Sequence, residues 1–84
     1  MASVPIMYTV DRQVITDGMR VWDYDLDRVT VDLSRMTDSV TGEFFREPDP
    51  MGQYWFDVRT ESGGRKTMSD TRVVVRHPFT GEIA

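Results

Sequence analysis

The chain contains no cysteine, which excludes a disulfide framework, a thiolate metal site and a cysteine nucleophile. Its single histidine, His77, has no second imidazole or thiol with which to build a metal centre or a catalytic pair. No apolar run approaches the length of a membrane span, and Met1 to Val10 lacks the basic start and apolar block of a signal peptide. The expected location is therefore the cytoplasm. Gly63-Gly64 precedes no helical pattern and reads as a hairpin turn, while Ser34, Ser39, Ser62 and Ser69 stand in no nucleophile-elbow context. Repeats, low-complexity segments and extended helical patterns are absent. Positive charge is scarce as well: the net charge of −4 repels polyanions and acidic membranes as a bulk field.

What remains is a chain of 84 residues, 39% apolar and 29% charged, enough for one domain spanning residues 1–84 and no second core. Burial is marginal at this size, so every strand with an apolar face has to contribute. Short chains seldom build a deep, water-excluding pocket. The expectation is a binding protein and not an enzyme, with no cofactor and no resident metal.

The densest strand signal is the stretch Tyr54 to Val75. Tyr54, Phe56 and Val58 alternate with Trp55, Asp57 and Arg59, the period of a half-buried strand. Val73, Val74 and Val75 form a second β-branched run suited to a pleated surface, and Ser62-Gly63-Gly64 supplies a reversal between the two. Earlier in the chain, Val29, Val31 and Leu33 alternate with Thr30 and Asp32 and find their partner in Met19 to Tyr24. The acidic stretch Asp23 to Arg28 joins these two strands. Ile6, Tyr8 and Val10 alternate with Met7 and Thr9, an N-terminal strand or arm within residues 1–16 that Pro5 places at an edge. Ser34 to Gly42 is read as a loop or one helical turn, Glu43 to Arg46 as a short strand, and Pro48 to Gly52 as a turn. About five short strands imply an all-β fold, a small SH3-like barrel or a strongly curved antiparallel sheet. The expected core is Met19, Val21, Val29, Val31, Leu33, Phe56, Val58, Val73 and Val75, with Tyr54 at its rim.

The run Asp17-Gly18-Met19-Arg20-Val21-Trp22-Asp23, its loop and Val29 to Leu33 resemble the first hairpin of SH3-like barrels of the KOW and Tudor type. The wider pattern of Val21-Trp22-Asp23, Leu26-Asp27-Arg28, Trp55-Phe56-Asp57-Val58, a Gly-containing turn, Arg76-His77-Pro78 and Thr80-Gly81-Glu82 is similar to small uncharacterised proteins of actinobacteria and their bacteriophages. The resemblance covers most of residues 17–84. It implies an SH3-like fold and a phage-encoded context, and carries no known chemistry.

Charge is unevenly spread. Asp11 to Asp32 holds six aspartates against three arginines, whereas Arg59 to Arg76 holds four arginines and one lysine against two acids. The simplest consequence is cross-strand pairing of the two segments. Asp23-x-Asp25-x-Asp27 has the spacing of a hard-cation motif, but Arg28 and Ser34 stand where an EF-hand loop needs glycine and glutamate. A solvated acidic loop is the expected role. If Met19 and Val21 point inward, Trp22 and Tyr24 point outward, and Trp55 does so if Phe56 and Val58 are inside. These three rings, Trp22, Tyr24 and Trp55, form the candidate surface for a protein partner, joined by Phe44 or Phe45. The same rings are equally compatible with a second small core under the N-terminal segment, or with a homodimer contact. The alternative is RNA or DNA binding by Arg59, Arg65, Lys66, Arg72 and Arg76, with Trp55 stacking on a base.

Overall fold

A computed structural model describes residues 6–36 and 47–84 of the chain. The protein is all-β. Strands β1 (Arg20–Trp22), β2 (Arg28–Asp32), β3 (Trp55–Thr60) and β4 (Arg65–Ser69) form one antiparallel sheet in the order β1-β2-β3-β4. Single 3₁₀ turns at Ser34–Met36 and Asp70–Arg72 follow β2 and β4. Among the described residues no helix is long and apolar enough to cross a membrane.

The first hairpin forms where its alternation placed it, with Val21 opposite Val29 and Trp22 opposite Arg28. Residues paired across a sheet share a face. Val31 opposite Val58, Val58 opposite Lys66 and Phe56 opposite Met68 therefore extend the face begun by Val21 and Val29. All five valine and phenylalanine side chains on it are essentially sealed from solvent.

The partner of β3 departs from expectation. It is the polar strand Arg65–Ser69, not the valine run. The turn decides this. Gly63, at φ +91°, and the bonds from Gly64 N to the Thr60 hydroxyl and from Thr60 N to the Gly64 carbonyl close the reversal tightly. Arg59 is thereby held opposite Arg65, and the ladder is already running before the valines are reached. Register set by turn geometry overrides β-propensity here.

Val73 to Val75 instead crosses to the free edge of β1. Trp22 and Val74 exchange both backbone hydrogen bonds, at 2.8 and 3.1 Å, and Val73 is fully buried over the sheet. This contact is one isolated bridge, so the sheet is strongly curved but not closed into a barrel. The curvature is visible in Lys66. Its ammonium, on the last strand, lies 2.7 Å from Asp23 at the end of the first. Opposite edges of a flat four-stranded sheet are about 14 Å apart, beyond a lysine's reach.

The N-terminal stretch is part of the core and not an arm. Ile15 N donates to the Met7 carbonyl, and Tyr8 bridges Val14, giving a small hairpin. Its inward residues are Met7, Thr9 and Ile15, while Ile6, Tyr8 and Val10 face out. Met7, Ile15 and Met36 complete the core with Val21, Val29, Val31, Leu33, Phe56, Val58 and Val73, and Met19, Tyr54, Met68 and Val75 pack partly buried around it. Met19 and Val75 are thus rim residues. The short strand expected at residues 43–46, with Phe44 and Phe45, lies outside the described residues.

Candidate functional site

Trp22 is buried, against the expectation of an exposed ring. Its side chain lies on the sheet face opposite Val21, as alternation requires, but it is only 7% exposed. The cover is the C-terminal hairpin, where Arg76 bridges Ile83 and His77 N donates to the Glu82 carbonyl. The indole Nε1–H donates to that same Glu82 carbonyl at 3.0 Å. His77 meets the indole edge-on with centroids 5.0 Å apart, and the Arg28 guanidinium lies 4.7 Å from its centroid. Arg28 also donates to the Glu82 carboxylate at 3.0 Å. A second small core does exist, closed by the C-terminal tail and not by Ile6, Tyr8 and Val10.

Tyr24 and Trp55 remain accessible, at 66% and 39% exposure. Tyr24 follows β1 and carries the Arg72 guanidinium 4.7 Å from its ring centroid. Trp55 begins β3, and its indole N–H donates to Asp49 Oδ2 at 2.9 Å. That bond, with the Gln53 amide next, holds the Asp49 carboxyl below the ordinary carboxylate range. The three candidate rings are therefore not one patch.

The five cations proposed for nucleic acid are each engaged within the fold. Arg59 Nε and Arg65 Nη2 approach Asp32 Oδ2 at 3.3 and 3.8 Å. Lys66 meets Asp23 and, at 3.8 Å, Asp25. Arg72 stacks on Tyr24, and Arg76 donates to the Gly81 carbonyl at 3.1 Å. Acidic and basic segments pair internally, the simplest consequence of their charge. Asp32 stands directly opposite Asp57 on β3, a like-charge juxtaposition that a sheet resists. Donation from the Ser34 hydroxyl and amide, then the charge of Arg59, lowers the Asp32 pKa against the opposing effect of burial.

Asp23, Asp25 and Asp27 bring carboxylate oxygens within 4.8 Å of one another. Asp23 is sealed from solvent, and its two oxygens have separate tasks. Oδ1 accepts the amides of Asp25 and Asp27, both at 2.9 Å, and Oδ2 accepts Lys66. The cation among these carboxylates is the protein's own ammonium, whose pKa is raised chiefly by its hydrogen bond to Asp23.

Two features were not legible as sites. Asp11, at the tip of the N-terminal hairpin, accepts the amides of Val75 and Arg76 at about 3.0 Å, tying the two ends of the chain together. Burial pushes its pKa up, but the Thr9 hydroxyl and the Arg76 and Val75 amides together bring it below the ordinary value. The other feature is the outer face of that hairpin, where Ile6, Tyr8, Val10 and Val14 are between 49 and 70% exposed. Ile6 and Val14 also border an open apolar groove of about 410 Å³ floored by Ile15 and Leu33. Alternation in the sequence marks both sets of residues on this strand, but not which set faces the core.

Compared with known proteins, the chain matches no family model, no curated protein and no solved structure.

Proposed function

We propose that this is a small non-enzymatic module that binds a protein partner in the cytoplasm, its contact surface being the outer face of the N-terminal hairpin. The observation that carries the reading is the clustering of Ile6, Tyr8, Val10 and Val14 on one side of a ribbon whose other side is locked into the core. A small domain gains by burying such residues, and four left outside together on a latched ribbon favour contact with another chain. Tyr8 supplies the aromatic anchor with a polar tip that interfaces prefer. Tyr24 and Trp55 stay exposed, while Trp22 is withdrawn from the surface. Engagement of all five candidate cations within the fold weighs against nucleic acid.

The test is capture from cell lysate by the full chain, with and without nuclease, comparing wild type with Tyr8→Lys and Arg72→Ala. A protein retained after nuclease and lost with Tyr8→Lys supports the reading. Capture abolished by nuclease or by Arg72→Ala replaces it with nucleic-acid binding. A mass that doubles with concentration, and reverts with Tyr8→Lys, replaces it with self-association through the same face.

A further inference from the structure

We propose that the C-terminal hairpin is a proton-operated cover, which loosens over Trp22 when His77 takes up a proton. The turn at residues 77–82 is closed by the Gly81 amide on the His77 carbonyl and the Glu82 amide on the Thr80 hydroxyl, and its tip is held by one imidazole lone pair. His77 Nδ1 accepts the backbone amides of Phe79 and Thr80, both at 3.1 Å. An imidazole accepts at Nδ1 only while neutral, with its proton on Nε2; the second proton goes to Nδ1 and turns the acceptor into a donor. Two amides then face an N–H, and the turn loses both bonds at once.

The consequence reaches Trp22 because that turn carries the groups that cover it. The Glu82 carbonyl accepts both the indole N–H and the His77 amide, and the His77 ring itself abuts the indole. The charged groups bonded to this hairpin or sharing Trp22 with His77 come from three elements. Arg76 and Glu82 belong to the hairpin, Arg28 to β2, and Asp11 to the N-terminal hairpin. Arg28 is paired with Glu82, and Asp11 accepts the Arg76 amide; with two cations against two carboxylates, these groups give an imidazolium little net stabilisation. Attraction between an imidazolium and the indole works in the opposite direction, but Arg28 already lies over that ring and repels a second cation there. The two amide bonds therefore set the direction: the cover is complete while Nδ1 accepts and weakens when Nδ1 carries a proton. What it uncovers is a large aromatic of the kind that anchors protein interfaces.

The test is acrylamide quenching of Trp22 fluorescence in the full chain carrying Trp55→Phe, which leaves Trp22 as the only indole. Quenching should rise severalfold between about pH 7.5 and about pH 5, with far-UV dichroism unchanged. It should stay flat with His77→Asn, whose Oδ1 keeps an acceptor for the same turn but does not titrate. A flat profile in both proteins, an equal rise in both, or unfolding of the whole chain over this range overturns the proposal. Should His77→Asn fail to fold, an NMR titration of the Trp55→Phe protein decides. The His77 ring and the Trp22 indole N–H must shift along one curve, and an unmoved indole refutes the cover.

Discussion

Lys66 lies on β4 and Asp23 directly follows β1, at opposite edges of a four-stranded sheet, yet their charged atoms are 2.7 Å apart. The pair does two jobs. It neutralises a carboxylate that is 1% exposed, and it places an inward-pointing charge on β4, the edge strand of the sheet among the described residues, a device that discourages edge-to-edge aggregation. We predict that Lys66→Met destabilises the protein more than the same change at any exposed cation, because it strands the Asp23 charge. Asp23→Asn keeps the amide-accepting oxygen and removes the charge. In that background Lys66→Met should cost little. Additive losses in urea unfolding of the four proteins would show that the pair is not coupled.

Trp22 and Trp55 should separate cleanly by stability. Truncating the buried Trp22 to alanine is expected to cost about 3–5 kcal/mol, most of the stability of a domain this small. Trp55→Ala should cost about 1–2 kcal/mol, chiefly the hydrogen bond to Asp49 and partial burial. Comparable thermal shifts for the two variants would contradict the covered state of Trp22.

Met7→Ala tests whether the N-terminal hairpin belongs to the core. The side chain is fully buried, and its truncation should cost about 2–5 kcal/mol by denaturant titration. An appended arm would leave the midpoint unchanged.

Acid stability should depend on Asp11 and Asp32. Both carboxyls have their folded pKa below the ordinary 3.8, so their stabilisation is complete above that value and is lost as pH falls through the lower folded one. In the His77→Asn background, the unfolding midpoint should hold down to about pH 5 and then decline below about pH 4. Asp11→Asn should lower the plateau and flatten part of that decline. A slope unchanged by Asp11→Asn would show that the latch to Val75 and Arg76 carries no pH dependence.

How much of this was legible in the sequence varies by element, for physical reasons. The all-β class and the pairing of β1 with β2 follow from local alternation and one short loop, and the core positions Val21, Val29, Val31, Leu33, Phe56, Val58 and Val73 from the same period. The outward direction of Trp22 was legible too, because neighbours in a strand must point to opposite faces. Its burial was not, since that depends on a tail more than fifty residues away in the chain. The same limit applies to Met7, where either phase of the alternation satisfies the sequence and only packing against the sheet selects one. β4 escaped notice because its residues are polar and the valines beyond it are better strand formers, yet a glycine turn fixes register before propensity is consulted. Local period and turn chemistry determined the strands of this protein. Which faces are covered, which charges meet and which aromatics reach solvent were decided by the curvature of the sheet and by the packing of the two terminal hairpins against it, properties no short stretch of sequence contains.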